Sequence, residues 1–108
     1  MTLTVGVDIG GTKVAAAVVD PDGTVLARAR RDTPHRSTEP SVVETVIVEA
    51  VDDLRGTHAV EAVGVGAAGF VDANGELVRF APHLSWRDEP LRARLAERIG
   101  LPVFVDND

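Results

Sequence analysis

Asp8-Ile9-Gly10-Gly11-Thr12-Lys13 is the stretch on which the reading of this chain turns. Before it, residues 2–8 alternate loosely around Leu3, Val5 and Val7; after it, residues 14–19 are small and β-branched, and both patterns predict strands. Gly10-Gly11 supplies the turn between them. Consecutive glycines can adopt positive φ and bring the backbone close to a ligand, so that several N–H groups converge on phosphate oxygens. Thr12 adds a hydroxyl donor and Lys13 a cation, while Asp8 at the strand end can hold a magnesium ion directly or through water. On residue chemistry two readings stay open: a phosphate-binding turn, or an ordinary hairpin in which Asp8 caps a strand. A P-loop is excluded, because its Lys follows the second Gly directly, whereas here Thr12 intervenes and Val14 follows the Lys.

Working outward, Asp20-Pro21-Asp22-Gly23 reads as a second tight turn. Residues 25–31 alternate as a strand with one solvated face, so the chain starts with a three-stranded antiparallel meander. The polar stretch 33–40 reads as a loop. Ser41 and Glu44 have the spacing of a capping box, opening a helix whose apolar positions run from Val42 to Leu54 at helical spacing. Glu44, Glu49, Asp52 and Asp53 fall on its wet face, and Gly56 ends it. Residues 59–66 predict a buried strand, residues 70–80 a hairpin about Asn74-Gly75, and residues 81–89 a loop. Pro90 sits in the first turn of a second helix carrying Leu91, Leu95 and Ile99, with Gly100 as its cap. Residues 101–105 form a last short strand that delivers Asp106-Asn107-Asp108 at its carboxyl end.

Two further motifs carry chemistry. Gly64-Val65-Gly66-Ala67-Ala68-Gly69 satisfies the dinucleotide pattern letter for letter, but the adjoining residues 70–75 read as a hairpin rather than a helix. No helix N-terminus is then available for a pyrophosphate, and the glycines instead let the backbone pass close to a small polar ligand or a neighbouring helix. Asp106-Asn107-Asp108 offers two carboxylates and an amide. Asp108 could take a proton from a hydroxyl and Asn107 could bind a polyol, although a plain acidic turn has the same letters. His35, His58 and His83 share no metal-ligand spacing and fall in loops.

The 108 residues have the size of one domain, and 44% apolar content with 26% charge places them among globular chains. A net charge of −6 argues against a nucleic-acid partner. Absence of cysteine removes disulfide and thiolate chemistry, and the longest apolar run, residues 14–19, is far below the roughly 20 residues needed to span a bilayer. With no secretory leader at the start, the expectation is a cytoplasmic protein without membrane contact. The arginines at 28, 30 and 31 and at 92, 94 and 98 read as solvated faces.

Together, Asp-x-Gly-Gly-Thr-Lys at Asp8–Lys13, Gly-Ala-Ala-Gly-Phe-Val-Asp at Gly66–Asp72 and Val-Asp-Asn-Asp at Val105–Asp108 resemble the ROK family of bacterial sugar kinases. Within that family the likeness is greatest to actinobacterial glucokinases, and it covers the whole chain in order. The resemblance implies an α/β fold of the actin-like ATPase (ribonuclease H-like) type: a mixed sheet with an antiparallel three-strand start and flanking helices. It implies that residues 1–108 are the amino-terminal domain of a two-domain kinase, incomplete at its carboxyl end, because a closing helix is expected after the last strand. Asp8, Gly10, Gly11, Thr12 and Lys13 would then contact the phosphates of ATP, with Asp8 touching Mg2+ through water. Gly66, Ala67, Ala68 and Gly69 would line the sugar pocket, Asn107 would bind sugar hydroxyls, and Asp108 would be the general base on the glucose 6-hydroxyl.

His83-Leu84-Ser85-Trp86 departs from the family's Asn-Leu-x-Trp, which leaves the role of His83 open. By the same analogy a structural Zn2+ belongs to residues outside this chain, and the assembly is a homodimer or homotetramer. The resemblance also admits other substrates, namely another hexose or an N-acetylhexosamine, and polyphosphate as donor. A non-catalytic sugar-sensing regulator is the remaining alternative; such relatives carry a helix-turn-helix ahead of the kinase-like part, and Met1 stands seven residues before Asp8. A 108-residue half-site is expected to be nearly inert alone.

Overall fold

In the computed structural model, which describes residues 2–35, 39–67, 70–71, 78–80 and 87–107, two helices cover one face of a five-stranded sheet. The chain runs β1 (Thr4–Ile9), β2 (Lys13–Val19), β3 (Val25–Asp32), α1 (Pro40–Arg55), β4 (Ala62–Ala67), β5 (Phe70–Val71), β6 (Val78–Phe80), β7 (Arg87–Glu89), α2 (Leu91–Ile99) and β8 (Val103–Asn107). The main sheet has the order β3-β2-β1-β4-β8. β1, β2 and β3 pair antiparallel, whereas β4 and β8 are added parallel to β1, so the sheet is mixed.

Period-two alternation decides which face is buried. Val5, Val7 and Ile9 of β1, Val14, Ala16 and Val18 of β2, Val63 and Val65 of β4, and Val103 and Val105 of β8 all point to the helices and are buried. Val43, Ile47, Ala50, Val51 and Leu54 of α1 meet them, at the 3–4 spacing of one helical face, as do Leu91, Leu95 and Ile99 of α2. The Arg55 guanidinium donates to the Ile99 carbonyl at 2.8 Å, tying the two helix ends together.

The antiparallel meander stands as expected. At the second turn, the Asp20 carboxylate accepts the N–H groups of Asp22 and Thr24, each at 2.9 Å, and Gly23 takes φ of 85°, which only a residue without Cβ adopts at no cost. Gly100 caps α2 in the left-handed conformation, its N–H donating to the Ala96 carbonyl at 2.8 Å.

Several expectations need correction. Helix α1 starts one residue early, with Pro40 in its first turn and Glu39 as the cap, and no side-chain cap bond forms. Proline's fixed φ suits that first position, which moves Ser41 inside the helix and dissolves the Ser41–Glu44 capping box. Glu44 is buried at 2% exposure rather than wet, because it stands three residues before Ile47 and seven before Val51 on the face of α1 that meets the sheet. Pro90 is the residue before α2 rather than within its first turn. Of the stretch expected to be a loop, Arg87–Glu89 pairs antiparallel with β6, which in turn pairs with β5 in a small second sheet. The β5–β6 pairing is that of the expected hairpin, although Asn74-Gly75 and Ala81–Trp86 lie outside the described residues. The predicted strands at residues 59–66 and 101–105 begin later, at Ala62 and Val103.

Ile47 has no exposed surface while Val42 on the same helix is 42% exposed. Ile47→Ala should therefore lower unfolding stability by about 2–5 kcal/mol and Val42→Ala by well under 1 kcal/mol, on the scale of core truncations, as read by urea denaturation.

Candidate functional site

Parallel pairing aligns the carboxyl ends of three neighbouring strands. Asp8 of β1, Gly66 of β4 and Asp106 of β8 share one rank of the sheet, and Ile9, Ala67 and Asn107 share the next. Adjacent strands lie about 4.8 Å apart, so the candidate residues of all three motifs converge on one sheet end. Asp8 and Asp106 are exposed, on the face away from the helices. Of the residues singled out from the sequence, Ala68, Gly69, Asp108 and His83 lie outside the described residues.

The turn after β1 is closed by the Gly10 N–H, which donates to the Lys13 carbonyl at 2.9 Å. Gly10 is not in the left-handed region, contrary to the expectation of positive φ there. A Cβ on Gly10 would stand 3.4 Å from the Lys13 carbonyl oxygen, the near edge of ordinary van der Waals contact. Gly10's amide is spent within the turn, so the backbone donors available to an anion are further along, at Gly11 and Thr12, both exposed.

Two residues missed by sequence reasoning hold this turn from the β3 side. Thr33 donates its hydroxyl to the Gly10 carbonyl at 2.8 Å and its N–H to the Thr12 carbonyl at 2.9 Å. Asp32 pairs with the Lys13 ammonium. That hydrogen bond, with the attraction of the lysine charge, holds the Asp32 carboxyl below its ordinary value of 3.8. Both partners are exposed, so the pair adds little to stability and is screened by salt. It directs Lys13 toward β3. Counting the antiparallel register from Lys13 opposite Asp32 would have flagged both positions.

Asp8 suits a magnesium ion held through its water shell, since Mg2+ prefers oxygen ligands and keeps several waters. Among the described residues no cluster of three His, Cys, Asp or Glu side chains could cage a metal. The dinucleotide pattern is set aside by backbone: β4 runs through Gly64–Ala67, and Phe70–Val71 is a strand, where a pyrophosphate site needs a helix.

A shallow cavity of about 430 Å³ lies over the middle of the open sheet face, between Gly6, Gly64, Ala15, Ala17 and the Arg28–Arg30 stretch, with Asp8 at its rim. It is set back from the strand ends where the motifs meet, and its floor is made by residues too small to fill it.

A profile of the ROK family matches residues 4–108. The chain belongs to the ROK family. Over all 108 residues it is 48% identical to the glucokinase of Streptomyces coelicolor, covering 33% of that protein. It superposes with a TM-score of 0.91 on the ROK family glucokinase of Streptomyces griseus in complex with glucose and AMPPNP, at 48% identity over 97% of this chain and 33% of that one. It also superposes on the inorganic polyphosphate/ATP-glucomannokinase of Arthrobacter sp. strain KM, with a TM-score of 0.87 at 31% identity, covering 100% of this chain and 45% of that one. The fold is thus that of the actin-like ATPases, as the motifs implied. The chain spans about a third of the length of the curated glucokinases it matches.

The Lys13–Asp32 contact has a direct readout. In a Lys13→Met variant, the Asp32 carboxyl should titrate at a higher pH, back toward 3.8, by carboxyl-detected NMR. Because the folded value is lowered, whatever stability the pair supplies is present above that ordinary value and is lost as pH falls through the lowered one.

Proposed function

We propose that the full-length protein transfers the γ-phosphoryl group of ATP to the 6-hydroxyl of glucose, and that residues 1–108 are the amino-terminal jaw of its two-domain cleft. The observation that most supports this reading is 48% identity, over 97% of the chain, to a ROK glucokinase whose structure holds glucose and AMPPNP. The convergence of Asp8–Lys13, Gly66–Ala67 and Asn107 on one end of the sheet fits a site where phosphate and sugar meet.

In this reading the backbone donors of the Gly11-Thr12 turn and the Thr12 hydroxyl bind phosphate oxygens. Lys13 contributes positive charge at the rim. Asp8 would hold Mg2+ through water, and that ion would neutralise charge on the phosphates. The segment Gly66, Ala67, Ala68 and Gly69 brings backbone close to the sugar, and Asn107 both donates to and accepts from its hydroxyls. Asp108 accepts the proton of the 6-hydroxyl as that oxygen attacks phosphorus and ADP departs. Such transfer depends mainly on positioning and charge stabilisation, so one jaw without the other should be nearly inert. The sugar-bearing jaw would close in the cytoplasm, within a dimer or tetramer.

Replacing Asp108 by Asn in the full-length enzyme should lower kcat for glucose by roughly 10²–10⁴, the usual contribution of a positioned base. Undiminished phosphorylation would remove Asp108 from that role. Comparing kcat/KM for glucose, fructose, N-acetylglucosamine and N-acetylmannosamine, with ATP or polyphosphate as donor, identifies the substrates directly; glucose and ATP should lead.

A further inference from the structure

We propose that Thr33 is a positioning residue for phosphoryl transfer: its hydroxyl holds the Gly10–Gly11 peptide with the Gly11 N–H turned toward the nucleotide phosphates. The proposal rests on the phosphate-turn reading above and names what keeps that turn competent.

In a planar trans peptide the carbonyl and the following N–H point in opposite directions. The Gly10 carbonyl accepts the Thr33 hydroxyl at 2.8 Å, a good length for a hydrogen bond from a hydroxyl. The Gly11 N–H therefore points away from Thr33, out of the turn. Gly10 and Gly11 flank this peptide, so no Cβ resists its turning over. Reversed, it would present a carbonyl oxygen to the phosphates where the site needs a donor, and two negative ends would face each other. Among the described contacts at the turn, no other side chain fixes this peptide. The neighbouring Thr12 carbonyl is held by the Thr33 N–H, a backbone bond that substitution of the side chain leaves in place.

Position explains why Thr33 can do this. It stands 23 residues beyond Gly10 in sequence and one residue past Asp32, the partner of Lys13 in the β2–β3 register. The end of β3 thus lies alongside the loop that joins β1 to β2. The hydroxyl is part-buried, so water does not readily replace it. The meander holds the turn from behind, leaving its front to the ligand.

The test uses the full-length enzyme, with MgATP and glucose varied separately. Thr33→Val keeps the shape of the side chain and removes the donor. The KM for ATP should rise about tenfold, the scale of one hydrogen bond, while the KM for glucose stays at the wild-type value. Thr33→Ser, which keeps the hydroxyl, should restore the KM for ATP. An unchanged KM for ATP in Thr33→Val, or parallel rises in both KM values, overturns the proposal. If Thr33→Val does not fold, Thr33→Ala against Thr33→Ser decides: equal KM values for ATP overturn it, and a rise in Ala alone supports it. Thr12→Val separates this idea from the reading beneath it. If Thr12→Val weakens ATP binding while Thr33→Val does not, only the role of Thr33 falls; if neither does, the phosphate-turn reading falls with it.

Discussion

Parallel registration of β1, β4 and β8 over a common apolar floor is the constraint from which the other features descend. Val5, Val7, Ile9, Val63, Val65, Val103 and Val105 all have to reach the same layer beneath α1 and α2. A slip of one residue in any strand would turn its valines outward and bring Asp8, the small Gly64 and Gly66, or Asp106 to the core instead. At about 25 cal/mol per Å² of apolar surface, such a slip is costly enough to be excluded. Register in turn puts Asp8, Gly66 and Asp106 in one rank, and Asn107 in the next. The site geometry is therefore inherited from the core, with no separate device needed to align the three motifs.

What the core cannot set is the orientation of individual peptides beyond the strand ends. There the structure uses local polar contacts: Gly10 N–H to Lys13, Thr33 to Gly10 and Thr12, Asp32 to Lys13. These bonds link β1, β2 and β3 at the same end of the sheet. The antiparallel start of the fold thereby serves the site as well as the core, since a parallel neighbour would not bring the end of β3 back against the turn.

Much of this is legible in the letters. The meander, both helices and the ROK motifs emerge from alternation, from 3–4 spacing and from glycine and proline punctuation, because each reports a local preference. The misses have a common physical origin. Pro40 and Ser41 compete for the helix start, and proline's fixed φ decides it; Glu44, a charged residue, is buried by its spacing from Ile47 and Val51. Residues 87–89 carry no apolar alternation, and their pairing depends on β6, which is far from obvious in a charged Arg-Asp-Glu stretch. Thr33 reads from sequence as the first residue of a loop; its importance lies in a contact 23 residues away, which only the register of β2 with β3 makes visible.

β3 is an outer strand of the main sheet, and it is also where Arg28, Arg30 and Arg31 fall. Beside it, the β2–β3 ladder shifts register between Val18 and Val19. A free strand edge invites another chain to add to it, and charged side chains and irregular pairing are the usual deterrents. A second copy that docked here strand against strand would bring arginine close to arginine, and like charges across a ladder are destabilising. Arg31 is held by Asp53 of α1, whereas Arg28 and Arg30 alternate onto the exposed face, so these two arginines act as a guard against self-templated growth of the sheet.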